Sequence, residues 1–120
     1  MITFAWRRLL CCALASGLLA MAAPTFAHSP LLATVPANGS TVAAPTVIAV
    51  EFKQATRLAK LTVLPPEGEA IALDLSAHKQ FATRHEVSTA GLHAGEHRVQ
   101  WRVLARDGHV MKGEFAFTVR

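Results

Sequence analysis

The sequence predicts an all-β protein, an immunoglobulin-like sandwich of about seven short antiparallel strands. Apolar residues alternate with other residues in several short runs, among them residues 99–103 and 115–119, as a strand buried on one face requires. Clusters of proline, glycine, asparagine and aspartate separate these runs and favour turns. No segment after residue 27 has a convincing helical period. The pattern predicts the fold class but not the order of the strands.

The amino-terminal segment is organised like a secretory signal peptide. Arg7 and Arg8 form a short basic region, residues 9–23 are almost entirely apolar, and small residues precede a cleavage position. We therefore predict that residues 1–27 are removed, which leaves residues 28–120 as one exported domain. The apolar run is shorter than the ~20 residues that span a bilayer, so no membrane insertion of the mature chain is expected.

Removal of the signal segment changes the bulk properties of the chain. Cys11 and Cys12 both lie in it, so no disulfide is expected and the apolar core must supply the stability. Loss of Arg7 and Arg8 lowers the formal net charge from +4 to about +2. A charge this small, spread along the chain, does not predict binding to nucleic acid.

The first half of the domain contains three predicted strands. Residues 31–35 form the first strand, and a turn follows at residues 36–40, where proline, asparagine and glycine cluster. Apolar residues alternate over residues 48–52, which form the second strand. A polar connection over residues 53–57 then separates it from a third strand around residues 61–63.

The second half contains four predicted strands. A Pro-Pro-Glu-Gly turn leads into a fourth strand at residues 71–75, and a weaker fifth strand runs over residues 83–88. Two glycines bracket a corner before the sixth strand, residues 99–103, in which Trp101 has the parity of a core residue. Residues 114–119 alternate as the final strand.

The connection between the last two predicted strands contains Asp107, Gly108 and His109. Loops on a rigid scaffold often carry function, and both side chains project to the same side if the backbone here is extended. A carboxylate and an imidazole so placed can bind a borderline metal ion, but two ligands make a poor site. The alternative interpretation is that Asp107 caps a turn whose bend Gly108 supplies.

Cleavage after residue 27 makes His28 the new amino terminus. The free α-amino group and the imidazole Nδ1 of a terminal histidine can close a six-membered chelate ring on one metal ion, which no internal histidine can do. His28 is therefore the candidate for the missing ligand. The competing interpretation is that a histidine follows the cleavage position by chance.

The mature start, His-Ser-Pro-Leu with Pro-Ala-Asn-Gly-Ser at residues 36–40, occurs together with an Asp-x-His run that leads into Gly-Glu-Phe-Ala-Phe at residues 113–117. This combination resembles the CopC-type periplasmic copper-binding proteins over essentially the whole mature chain. The resemblance implies a small Greek-key β-sandwich and one Cu(II) ion per chain. It implies His28, through amine and imidazole, with Asp107 and His109 as the ligands. By analogy it also implies a CopD-type inner-membrane copper permease as a partner.

The chain departs from that family at two places. Members with two copper sites carry a methionine-rich Cu(I) segment where this chain has residues 64–69, which contain no methionine, and Met111 is the only methionine after residue 27. A Cu(I) site is therefore not expected. Gln54 stands where some members place a glutamate near the Cu(II) site. The nitrogen and carboxylate donors suit Cu(II), although Zn(II) would accept the same atoms.

The other histidines are predicted to take no part in metal binding. His97 lies at the corner where sandwich domains often place a tyrosine that ties the corner to the backbone, so a structural hydrogen bond is expected. His78, His85 and His93 are expected to be exposed to solvent. Met111 is expected to pack against the core rather than bind metal.

Three functions follow from these observations. The leading hypothesis is a Cu(II) carrier or buffer in copper resistance or uptake, without enzymatic activity. A terminal-histidine copper chelate also resembles the histidine brace of lytic polysaccharide monooxygenases, but the domain is small, it has no aromatic row, and a carboxylate ligand would fill a position that oxygen needs. The third hypothesis is a sandwich interaction module without metal.

Overall fold

The computed structural model describes residues 30–120, which form seven strands and no helix. None of these residues belongs to a helix that is long and apolar enough to cross a membrane. The predicted signal peptide and His28 lie outside the described residues. In chain order the strands are β1 (Leu31–Val35), β2 (Thr41–Val42), β3 (Val47–Leu64), β4 (Ile71–Ala72), β5 (Ala82–Ser88), β6 (Gly95–Ala105) and β7 (Val110–Val119).

The longest strand, β3, takes part in both halves of a curled sheet. Its first half pairs with β1 and β5, whereas its second half pairs with β4 and β6. The sheet continues from β6 to β7 and from β7 to β2. Five of the six pairings among the described strands are antiparallel, and β2 runs parallel to β7. The predicted all-β sandwich is confirmed.

Three details of the predicted strands differ from the structure. The polar connection predicted over residues 53–57 lies inside β3, because the strand continues there while its partners change and its register shifts on both sides. The strand predicted over residues 71–75 is shorter, since β4 covers only Ile71–Ala72. No sequence pattern predicts β2, because two residues are too few to show alternation.

The hydrophobic core is built from the alternate residues of β3, β5, β6 and β7 that point inward. Trp101 is buried, as its parity predicts, and its ring meets the ring of Phe52 edge to face at a centroid distance of 5.2 Å. Gly113 lies opposite Trp101 in the register of β6 and β7. A Cβ atom at Gly113 would overlap the indole ring, so glycine leaves the space that the tryptophan fills.

His97 makes the structural hydrogen bond that the sequence predicts. Its side chain is buried, and Nε2 donates to the backbone oxygen of His93 at 2.7 Å. The ring also stacks on Phe117 at a centroid distance of 5.6 Å. The hydrogen bond and the stacking tie the corner before β6 to the core.

The predicted exposure of His85 is wrong. Only 3% of the residue is exposed, because β5 turns it toward the core, and Nε2 donates to the backbone oxygen of Thr56 at 3.0 Å. The alternation of apolar and polar residues in β5 is too short to predict which face of the strand points inward. His93 is exposed as expected, and His78 is half-buried.

Burial of His85 predicts that the domain loses stability in mild acid. Desolvation lowers the pKa of His85 below its ordinary value of 6.5, so the unfolded chain binds the proton more readily than the folded one. The free energy of unfolding should therefore fall as the pH decreases from about 6.5 toward the lowered pKa of the folded state. Denaturant unfolding at a series of pH values measures this effect.

The control for this prediction is a histidine that is not buried. His85→Gln should be less stable than the native protein at neutral pH but should show a flatter pH dependence in this window. His93→Gln should keep the native slope, because His93 is exposed in the folded state. A native slope in the His85→Gln variant would show that another group is responsible.

Candidate metal-binding site

Residues 106–109 form a tight turn between β6 and β7. The amide of Gly108 donates to the oxygen of Ala105 at 3.0 Å, and the amide of Ala105 donates to the oxygen of His109 at 2.8 Å. Gly108 has a φ of 92°, a left-handed conformation that glycine adopts without strain. The turn therefore requires a glycine between Asp107 and His109.

Asp107 and His109 contact each other directly. Oδ1 of Asp107 accepts a hydrogen bond from the backbone amide of His109 at 3.0 Å, and Oδ2 lies 2.7 Å from the imidazole Nδ1. Asp107 thus caps the turn, as the alternative interpretation of the sequence holds, and also holds the imidazole. Both side chains are open to solvent, with 63% of Asp107 and 81% of His109 exposed.

These hydrogen bonds also set the protonation of the pair. The backbone amide of His109, followed by its imidazole, lowers the pKa of Asp107 below the ordinary carboxyl value. An ionised carboxylate can only accept hydrogen bonds, so Nδ1 of His109 carries the proton in this contact. The Nε2 lone pair is then available to a metal ion, as in the carboxylate–histidine arrangements of metal sites.

A pocket of about 520 Å³ lies beside the pair. Its walls come from the end of β6, the start of β7 and the middle of β3, where that strand changes partners. Met111 borders the pocket and packs against the core, in agreement with its predicted core role. The lining residues are Pro30, Lys53, Gln54, Ala55, Thr56, Ala105, Asp107, His109, Val110 and Met111.

The start of the described chain lies at this pocket. Pro30 lines it, and the oxygen of Pro30 accepts a hydrogen bond from the amide of Lys53 at 2.9 Å. His28 lies outside the described residues, so the structure brings together two of the three predicted ligands, Asp107 and His109. Within residues 30–120, no group of three histidine, cysteine or acidic side chains is placed to hold a metal ion.

Sequence reasoning did not single out two residues of the pocket wall, Lys53 and Thr56. Both lie in the polar stretch that the sequence predicts as a connection, and Gln54 lies between them on the same wall. The signal that points to them is the polar interruption of the alternation in the middle of β3. Lys53 and Gln54 are polar because their side chains are exposed there, whereas Thr56 is buried and its backbone oxygen accepts a hydrogen bond from His85.

Comparisons with known proteins agree with this architecture. The CopC domain model matches residues 31–120. Copper resistance protein C of Escherichia coli is 30% identical over 110 residues, which cover 78% of this chain and 82% of the relative. Copper resistance protein C of Xanthomonas campestris pv. juglandis is 26% identical over 110 residues, which cover 82% of this chain and 84% of the relative.

Solved structures show the same similarity. The crystal structure of CopC from Methylosinus trichosporium OB3b superimposes with a TM-score of 0.63 at 26% identity, covering 77% of this chain and 93% of that one. PcoC, a methionine-rich copper resistance protein from Escherichia coli, superimposes with a TM-score of 0.56 at 28% identity, covering 78% of this chain and 100% of that one. The chain belongs to the CopC domain family.

Proposed function

We propose that this protein is a periplasmic carrier or buffer that binds one Cu(II) ion through His28, Asp107 and His109. The observation that carries the proposal is the hydrogen-bonded Asp107–His109 pair, which lies open to solvent at a pocket that Pro30 also lines. The copper resistance proteins that the chain resembles support copper as the cargo.

The position of Pro30 makes His28 a feasible ligand. A chain advances at most ~3.6 Å per residue, so two residues reach about 7 Å beyond Pro30. Pro30, Asp107 and His109 line the same pocket, so His28 has to reach only across that pocket. The amine and the imidazole of His28 can therefore approach an ion that the pair holds.

The donor set suits Cu(II). An amine, two imidazoles and a carboxylate provide three nitrogens and one oxygen, and Cu(II) prefers such ligands near one plane. Asp107 accepts two hydrogen bonds from His109, one from the backbone amide and one from imidazole Nδ1. Nδ1 and Nε2 point to opposite sides of the ring, so a carboxylate bonded to Nδ1 cannot reach an ion at Nε2. Binding of one ion by both residues therefore requires the Asp107–Nδ1 contact to open, which frees a carboxylate oxygen for Cu(II).

The exposure of the pair favours transfer of the ion over catalysis. Because Asp107 and His109 lie at the surface, the ligands of a partner can replace them one at a time. A carboxylate ligand also occupies a coordination position that oxygen chemistry would need. We propose a CopD-type inner-membrane copper permease as the partner that competes for the ion.

The proposal predicts selectivity for Cu(II) over Cu(I). Met111 is the only methionine after residue 27, and one thioether does not supply the soft ligand set that Cu(I) prefers. The processed protein should bind one equivalent of Cu(II) in a titration and should leave Cu(I) with a competing soft chelator. Met111→Leu should show the same Cu(II) stoichiometry as the native protein.

The same titrations separate the competing functions. A second tight equivalent, of Cu(I), would show that other residues replace the methionine-rich segment. Absence of Cu(II) binding would favour the metal-free interaction module. Peroxide-dependent cleavage of polysaccharide by the copper-loaded protein would favour the monooxygenase alternative.

A further inference from the structure

A row of three cations crosses the outer face of the sheet, away from the Asp107–His109 pair. Lys60 of β3 is in register with Arg102 of β6, and Arg102 is in register with Lys112 of β7. All three residues are exposed. Like charges directly opposite each other on neighbouring strands repel, so the row destabilises the sheet unless an anion neutralises it.

The neighbouring carboxylate does not neutralise this row. Glu114 accepts hydrogen bonds from Arg98 Nε at 2.9 Å and from the Gln100 side chain at 3.2 Å, and these contacts lower its pKa. Within the described part of the chain, Lys60, Arg102 and Lys112 form no ion pair. The positive charge of the row is therefore available to an external anion.

A pocket of about 470 Å³ lies over this row, and we name it the basic pocket. Its lining includes the three cations together with Thr62, Gln100 and the carboxylate of Glu114, which Arg98 and Gln100 already bind. Register places Thr62 beside Gln100 on the same face as the cations.

One buried donor at the basic pocket lacks a partner. Only 7% of Thr62 is exposed. The Thr62 hydroxyl makes no hydrogen bond with any described residue. Buried polar groups without partners are uncommon in folded proteins, and a ligand oxygen would supply the missing acceptor.

We propose that the basic pocket binds a small oxyanion that carries two or more negative charges, of the phosphate or polycarboxylate class. Its volume falls within the range of about 300–1,000 Å³ of small-ligand sites. Its three cations outnumber the one carboxylate, Glu114, so the lining has a net positive charge that concentrates anions. The guanidinium of Arg102 presents paired donors that match two oxygens of such an anion. Confinement of the cations to one row over one pocket favours a small ligand over a nucleic acid or a membrane surface.

The side-chain amide of Gln100 provides a direct reporter of binding, because Gln100 is exposed and lines the basic pocket. Titration of the processed protein with pyrophosphate, and separately with citrate, at constant ionic strength should shift the resonances of this amide in a saturable way. A stronger response to one anion identifies phosphate or carboxylate as the preferred group.

Variants test whether the row itself binds the anion. Arg102→Gln and Lys112→Gln should each weaken binding about ten-fold, since each removes a charge-assisted hydrogen bond from an exposed position. Lys79→Gln makes the same change of charge at an exposed residue outside the pocket and should weaken binding less than about two-fold. Cu(II) affinity should stay unchanged in all three variants.

Two results would overturn the proposal. One is the absence of a saturable shift with both pyrophosphate and citrate. The other is an equal loss of affinity in Lys79→Gln and Arg102→Gln, which would mean that the anion responds only to net charge. Thr62→Val gives an independent check, because it removes the hydroxyl without changing charge and should also lower the affinity.

Discussion

Protein that keeps a single residue before His28 should bind Cu(II) more weakly than the processed protein, by on the order of 100-fold or more. The added residue converts the α-amine to an amide and breaks the chelate ring, so the amine is lost and the imidazole of His28 no longer binds the ion together with it. Mutation of groups that only support a ligand already costs about 10- to 100-fold in metal affinity. Competition titrations of the native terminus and of a Gly-extended terminus measure the difference.

The control for this experiment carries the same extra glycine at the carboxyl end, after Arg120. That protein should bind Cu(II) like the native one, because Arg120 does not line the pocket beside Asp107 and His109. Equal Cu(II) affinity for the extended and native amino termini would remove the amine, and His28 as a chelating residue, from the proposed site.

His109→Ala should weaken Cu(II) binding strongly and flatten its dependence on pH. Copper displaces protons from its nitrogen donors, and imidazole and α-amino groups ordinarily titrate at about 6.5 and about 8, so the affinity should fall from pH 8 toward pH 5. The hydrogen bonds of His109 lower the pKa of Asp107, which stays ionised in this window. Asp107→Asn should therefore weaken binding but leave the slope nearly intact.

Two histidines outside the pocket serve as controls for this prediction. His78→Ala and His93→Ala should bind Cu(II) with native affinity and native pH dependence, since neither residue borders the site. His85 is less suitable, because its burial makes any substitution affect folding. If the Cu(II) affinity of His109→Ala kept the native pH dependence while that of His78→Ala lost it, the proposed site would have to be moved to the surface around His78.

The alternation of apolar and polar residues in the sequence predicts those strands that have one face buried and the other exposed. β5, β6 and β7 show this pattern and lie where the sequence places them. β1 matches its predicted bounds, although its burial does not alternate. β3 differs from its prediction, because it passes from one half of the curled sheet to the other and changes partners in its polar middle. The parallel contact of β2 with β7 depends on a long-range approach that no local pattern encodes.

The candidate site is predictable only where its residues are close in sequence. Asp107 and His109 are two residues apart, and the turn brings them into contact. The wall from β3, with Lys53 and Gln54, depends on how distant strands pack, and spacing does not reveal it. The burial of His85 was missed for the same reason, since a short strand gives no sign of its inward face.

Electron paramagnetic resonance of the processed protein with one equivalent of Cu(II) tests the central claim most directly. The proposed site predicts a tetragonal spectrum with coupling to three nitrogen donors, the amine and the imidazole of His28 and the imidazole of His109. One nitrogen coupling should disappear in His109→Ala. If His109→Ala and the protein extended before His28 both kept the nitrogen couplings of the native protein, that result would contradict the proposed Cu(II) site.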